Sequence, residues 1–109
     1  MAYDVTLAER IARRLNRRRG LEQKRMFGGV CFLLRGNMCC GVAGNRLMVR
    51  VGLERYASAL RKPHARPMDI TGRPLRGFVF VVPQGLRTRK ALQAWVDGGL
   101  CYAQSLPAK

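Results

Sequence analysis

The residues with the most reactive side chains in this sequence are its cysteines, and two of them are adjacent. Three of the four cysteines, Cys31, Cys39 and Cys40, lie within residues 25–51. A zinc ion needs about four ligands that converge tetrahedrally, usually from paired motifs such as Cys-x-x-Cys. The sequence contains no such pair, and its one histidine, His64, lies in a segment flanked by prolines without a spaced partner. We therefore expect no metal site and no cofactor.

The strands that carry the cysteines decide which way the thiols point. Gly36-Asn37 and Gly44-Asn45 are typical of two-residue hairpin turns, because both residue types tolerate positive φ. Residues 25–51 therefore predict a three-stranded antiparallel meander. In the register that two-residue turns impose, Cys39 and Cys40 lie on opposite faces of one strand and cannot bind one ion together.

This register gives the cysteines different interpretations. Cys31 and Cys40 share the more apolar face, and a free cysteine packs there as a small hydrophobic residue. Cys39 lies on the other face, directly opposite Arg50, and a nearby cation lowers the pKa of a thiol. Cys39 with Arg50 is therefore a hypothetical redox site, and the alternative is an inert cysteine covered by helices.

Positive charge is the strongest compositional feature of the chain. Its 109 residues include 21 Lys+Arg against 6 Asp+Glu, a net charge of +15. A field of this sign attracts phosphate polymers and anionic surfaces. The alternative is a solvated surface that only aids solubility. Many of the cations lie in and after the first predicted helix, and the candidate nucleic-acid contacts are Arg10, Arg13, Arg14, Arg17, Arg18, Arg19, Lys24 and Arg25.

The remaining residues give little support for catalysis. One histidine does not allow a Ser/His/Asp arrangement to be proposed, and the six carboxylates show no paired spacing. Trp95, Phe78 and Phe80 could stack on nucleic-acid bases, but their spacing is more typical of a core. We therefore predict a protein that is not an enzyme.

A single α+β domain over residues 1–109 is expected to position these side chains. Leu7, Ile11 and Leu15 recur at helical spacing and predict a helix over residues 5–18. The meander follows, and the predicted order is α-β-β-β-α-β-β-α, a two-layer sandwich of helices on a mostly antiparallel sheet. The later elements are predicted as a helix at 53–61, a proline-containing loop at 62–67, strands at 68–71 and 77–82, and a helix capped by Thr88.

The expected location is the cytoplasm. No apolar run approaches the roughly 18 residues that span a bilayer, and the N-terminal residues lack the pattern of a signal peptide. Four cysteines without a disulfide-like spacing also favour a reducing compartment. We expect no association with a membrane.

Several short segments together resemble the TfoX/Sxy N-terminal domain family. The segments are Met26-Phe27-Gly28-Gly29, Gly36-Asn37-Met38, Leu47-Met48-Val49-Arg50-Val51, Gly72-Arg73-Pro74, Pro83 and Ala94-Trp95. The similarity covers roughly residues 8–106, and the combined motif spacing is more specific than any one segment. The resemblance implies a bacterial cytoplasmic protein with the α/β fold of that family, and it supplies no catalytic residues.

The name-giving members of that family are positive regulators of natural competence for DNA uptake, and they carry a second, C-terminal domain. This sequence ends at Lys109 after the first domain, so we expect a stand-alone member. The leading prediction is a regulatory or interaction domain with a protein partner, as a monomer or homodimer. One alternative is a nucleic-acid-binding module that uses the basic face of the first helix without sequence preference. The other is a thiol-based redox sensor or enzyme centred on Cys39.

Overall fold

Three α-helices and six strands make up the computed structural model, which describes residues 3–15, 18–26, 28–69 and 72–108. The helices are α1 (Val5–Leu15), α2 (Leu53–Leu60) and α3 (Arg89–Gln104). The strands are β1 (Leu21–Met26), β2 (Gly29–Leu34), β3 (Asn37–Ala43), β4 (Arg46–Arg50), β5 (Ala65–Asp69) and β6 (Pro74–Val81). A short 3-10 turn, Pro83–Gly85, leads into α3. In the described part of the chain, no helix is long and apolar enough to cross a membrane.

The strands form one antiparallel sheet in the order β1-β2-β3-β4-β6-β5. The predicted α+β class and antiparallel sheet are confirmed, and the predicted elements occur in the predicted order. The structure contains one strand that was not predicted: Leu21–Met26 pairs with β2 at the edge of the sheet. Its side chains are mostly exposed. An edge strand of this kind has no buried face, so no alternation of apolar residues marks it in the sequence.

All three helices pack on the same face of the sheet, which confirms the two-layer arrangement. Leu7, Ile11 and Leu15 of α1 are buried there, as α1 was predicted to place them. The same cluster includes Ala59 of α2 and Val96 of α3. The hydroxyl oxygen of Thr88 accepts a hydrogen bond from the Ala91 amide at 3.0 Å, which confirms the predicted cap of α3.

A β-bulge in β3 changes which side chains share a face. Leu33 of β2 pairs with Met38, but the next pair along is Phe32 with Cys40, so Cys39 is an extra residue without a partner in β2. An extra residue of this kind bends its strand and turns the following side chains relative to the partner strand.

The predicted register between β2 and β3 is wrong for two reasons. The tight turn is formed by Arg35-Gly36 and not by Gly36-Asn37, because Leu34 already pairs with Asn37, and the bulge then shifts the pairing again. The Gly44-Asn45 turn is as predicted, and Cys40 pairs with Val49.

The bulge also redistributes the cysteines between the two faces. Cys39 and Cys40 both belong to the core cluster under the helices, so the prediction that they face opposite ways is wrong. Cys31 pairs with Gly41 and lies on the other face, so the prediction that it shares a face with Cys40 is also wrong. Both predictions assumed a regular alternation that one extra residue interrupts.

The face away from the helices carries a second apolar cluster. Its buried members are Cys31, Leu33, Met38, Ala43, Met48, Met68 and Phe80. The Arg46 guanidinium lies 3.8 Å from the centroid of the Phe80 ring and covers it. Phe80 is thus a core residue, as its spacing indicated, and its ring is not free to stack on a base.

The ends of several elements differ from the prediction. Within the described residues α1 ends at Leu15, and Arg18 and Arg19 lie outside the helix. The segment at 62–67 is only partly a loop, because β5 begins at Ala65 and Pro67 pairs with Val79. Proline is tolerated there because β5 is an edge strand and needs no amide hydrogen bond on its outer side.

Candidate nucleic-acid interface

A cleft of about 360 Å³ lies between α1 and the first turns of α3. Four of its six lining residues are arginines: Arg10, Arg13 and Arg14 from α1 and Arg89 from α3. We call it the arginine cleft. The other lining residues are Leu92 and Gln93.

The packing of α1 directs its arginines into the cleft. Leu7 is buried against the sheet, and Arg10 and Arg14 follow it by three and seven residues. Residues at these spacings lie beside one another along a helix. Arg10 and Arg14 therefore flank the buried stripe on the side of α3. Arg13 is exposed.

Arg14 forms a two-pronged ion pair with Asp97 of α3. Its Nε lies 2.9 Å from Oδ1, and its Nη2 lies 2.6 Å from Oδ2. The hydrogen bond and the charge of Asp97 raise the pKa of Arg14. Because the carboxylate neutralises this guanidinium locally, Arg14 joins the two walls of the cleft and adds little net charge to it.

Arg10 is fixed in a different way. Its Nη2 donates a 2.8 Å hydrogen bond to the carbonyl oxygen of Leu86, in the segment that precedes α3. A carbonyl group orients the guanidinium but does not neutralise it. In the described ranges Arg14 is the only cation that forms an ion pair. Arg10, Arg13 and Arg89 therefore concentrate uncompensated positive charge in one concave site.

The start of α3 adds to this positive field. Arg89 is the first residue of α3, directly after the Thr88 cap, and the first turn contains no acidic residue. Free backbone N–H groups and the helix dipole make a helix N-terminus positive. Cations there are unfavourable for the isolated helix, by about 0.3–1 kcal/mol each. Arg89 is not among the contacts predicted from the sequence, although Arg87, Arg89 and Lys90 around a helix cap are an unusual pattern that could have indicated it.

The other predicted basic contacts that the structure describes do not line the cleft. Arg18 and Arg19 lie beyond the end of α1, and Arg17 lies outside the described residues. Lys24 and Arg25 are neighbours on β1, so their side chains point to opposite faces of the sheet. Lys24 pairs with Cys31 of the helix-free face, and Arg25 pairs with Val30 of the helix-covered face.

The structure places the two residues of the hypothetical redox site in different surroundings. Cys39 is completely buried, and Arg50 pairs with Phe78 of β6. The Arg50 guanidinium lies 5.5 Å from the Phe78 ring centroid and 5.4 Å from that of Tyr102. The bulge places the Cys39 side chain in the core cluster under the helices.

The surroundings of the buried thiols favour their protonated form. A hydrogen bond with the Cys39 thiol, together with burial, raises the pKa of Cys40 well above its usual range. Burial raises the pKa of Cys31 to about 11. The thiolate is the reactive form of cysteine, so burial and the raised pKa both disfavour reaction of Cys31 and Cys40 at neutral pH. Among the described residues, no three His, Cys, Asp or Glu side chains are grouped closely enough to hold a metal ion.

Comparison with known proteins adds one match. The family model of the TfoX N-terminal domain matches residues 13–103, most of the chain, as the sequence resemblance predicted. The matched range contains Arg13, Arg14, Asp97 and Arg89, and it begins after Arg10. No curated protein and no solved structure gives a significant match.

Proposed function

The chain belongs to the TfoX N-terminal domain family, and from this premise we propose a non-enzymatic interaction domain whose arginine cleft binds the phosphate backbone of a nucleic acid. One observation carries the proposal: Arg10, Arg13 and Arg89 meet in one cleft without a neutralising carboxylate. Binding is to the backbone and independent of base sequence, because phosphate contacts set position and carry no sequence information.

The chemistry of guanidinium groups suits this ligand. A guanidinium is planar and always charged, and it can donate two parallel hydrogen bonds to one phosphate. Arg10 is held in place by the Leu86 carbonyl, so less side-chain freedom is lost when a phosphate binds. Neutralisation of phosphates releases counterions, so affinity falls as the salt concentration rises.

The cysteines support an interaction domain over a thiol enzyme. Cys31, Cys39 and Cys40 are buried, and only Cys101 is an exposed thiol. All four are free. Free thiols persist in a reducing compartment, which supports our proposal that the protein acts in the cytoplasm.

A protein partner is the competing form of this proposal. An acidic protein surface would use the same uncompensated arginines, and the domain would then act as a regulator through protein contact. The two partners differ in their response to nuclease and in how many charges they neutralise. We treat the protein partner as an outcome of the experiment below.

The test is fluorescence anisotropy of labelled single-stranded and duplex oligonucleotides at several salt concentrations. Replacing Arg13 and Arg89 together by Gln should reduce the slope of log affinity against log salt by about two, roughly one for each lost phosphate contact. The matched control replaces Arg73 and Arg76 by Gln; both are exposed and lie outside the cleft, and their replacement removes the same net charge. An equal effect in both variants would contradict the proposal that the arginine cleft is the binding site.

A second measurement separates the two partners. The protein is isolated from its native host at low and high salt, with and without nuclease. Loss of the bound material after nuclease treatment supports nucleic acid. A protein that stays bound after nuclease and is lost in the Arg13/Arg89 variant would overturn the nucleic-acid proposal in favour of a protein partner.

A further inference from the structure

A second cleft, of about 290 Å³, lies between α2 and α3. Its polar residues are Arg55, Ser58 and Lys62, from α2 and the turn after it. The α3 wall includes Trp95 and Gly98, and Val51 contributes an apolar patch. We call it the tryptophan cleft.

Gly98 is the first unusual feature of this cleft. Two consecutive glycines, Gly98 and Gly99, interrupt a 16-residue helix, although glycine is the least favourable helix residue after proline. Gly99 is required by packing, because a Cβ at that position would overlap the carbonyl oxygen of Cys39. Packing does not require a glycine at position 98, since a Cβ there would meet no described atom within 4 Å. The missing side chain of Gly98 instead leaves the tryptophan cleft open.

The charges of the cleft are the second feature. Arg55 and Lys62 are its charged lining residues, and no carboxylate of the described residues lines it. The Lys62 ammonium lies 5.2 Å from the centroid of the half-buried Trp95 ring. A tryptophan face provides a stacking surface for a planar ring, and the two cations beside it can bind an anionic group. This combination complements an aromatic ring that carries a phosphate.

We propose that the tryptophan cleft binds one unpaired nucleotide, with its base against Trp95 and its phosphate held by Arg55 and Lys62. The base displaces the Lys62 ammonium from the ring, and the phosphate becomes its new partner. Ser58 adds a hydroxyl that can donate to the phosphate or to the base. The nucleotide comes either from solution or from a single strand, and only the second source rests on the function proposed above.

Trp95 reports directly on this site because it is the only tryptophan in the chain. The native protein is titrated with adenosine 5′-monophosphate, with a single-stranded oligoadenylate and with a duplex of the same length. We expect saturable quenching of Trp95 emission by the mononucleotide. Quenching by the single strand as well, but not by the duplex, would show that the cleft also accepts an unpaired nucleotide within a strand. No saturable quenching by the mononucleotide overturns the inference.

Gly98→Leu is the selective variant, because its side chain enters the open space and not the packed core. It should weaken mononucleotide binding at least about fivefold, the lower end of what the loss of one stacked base costs. The matched control is Gln104→Leu, which adds the same side chain at an exposed position of α3. Circular dichroism confirms that both variants are folded. Equal affinity in the Gly98→Leu and Gln104→Leu variants overturns the assignment to this cleft.

Two further results separate this inference from the proposed function. Mononucleotide binding that is abolished by Gly98→Leu, in a protein that retains no oligonucleotide, supports the cleft and contradicts the proposed function. Oligonucleotide binding that needs Arg13 and Arg89 but never quenches Trp95 supports the function and overturns the inference. Saturable quenching by poly-glutamate, without quenching by the mononucleotide, would show that the cleft binds an acidic peptide. This result would overturn the proposal of a nucleotide ligand.

Discussion

Gly99 of α3 lies directly against the backbone carbonyl of Cys39, with no room for a Cβ between them. Cys39 is the extra residue of the β3 bulge, so α3 contacts the sheet at this bulge. A Cβ at position 99 would also lie 3.2 Å from a methyl group of Val49 on the neighbouring strand. One glycine thus lets the longest helix approach both strands closely, and Cys39 is sealed beneath it.

This contact predicts opposite effects for two neighbouring glycines. Gly99→Ala should lower the free energy of unfolding by about 1–3 kcal/mol, because overpacking forces backbone or side chains to shift. Gly98→Ala should raise it by about 1 kcal/mol, because alanine is the better helix residue and its methyl group enters open space. Urea denaturation followed by circular dichroism measures both. A change of the same sign in the two variants would show that the close approach of Gly99 is not the deciding contact.

The cysteines should differ sharply in reactivity. Cys101 is exposed, whereas Cys31, Cys39 and Cys40 are buried. A thiol reagent at neutral pH should therefore modify Cys101 quickly in the native protein and the other three only after unfolding. Cys101→Ser should leave no fast-reacting thiol. A fast reaction of Cys39 in that variant would restore the redox hypothesis.

Alkaline pH should destabilise the fold through Cys31. Burial raises its pKa from 9.0 to about 11, so the folded protein retains a proton that the unfolded chain releases. The stabilisation is complete below pH 9.0 and is lost as the pH rises towards about 11, with a slope of up to about 1.4 kcal/mol per pH unit. Urea denaturation across this range measures it. Cys31→Ala should show a shallower decline, and an unchanged decline would assign the effect to other groups.

Removal of the Asp97 carboxylate should strengthen nucleic-acid binding. Asp97→Asn releases the Arg14 guanidinium into the arginine cleft, so the salt slope of oligonucleotide affinity should increase by about one. Stability should fall only slightly, because the pair is exposed, with 38% of the Arg14 and 46% of the Asp97 side chain accessible. Asp69→Asn is the matched control: it makes the same charge change away from the cleft and keeps an oxygen for the Gly72 amide. Equal gains in both variants would indicate a general charge effect.

Local patterns in the sequence determined the class of fold and most of its elements. The spacing of Leu7, Ile11 and Leu15 sets the buried face of α1, and Thr88 sets the start of α3; both depend on residues within a few positions of one another. The glycine-containing turns likewise mark the hairpins of β2, β3 and β4. Family membership followed from the same short segments. The polar edge strand β1 was not predicted, because it is stabilised by pairing with β2 and not by a buried face.

The tertiary structure alone decided the faces and the clefts. One extra residue at Cys39 moved Cys31 and Cys40 to different faces, and an insertion of this kind leaves no periodic signal in the sequence. The arginine cleft joins Arg10 to Arg89 across the packing of two helices, and no local spacing encodes that approach. The tryptophan cleft depends on an absent side chain at Gly98, whose meaning differs from that of Gly99 only because one faces open space and the other the sheet.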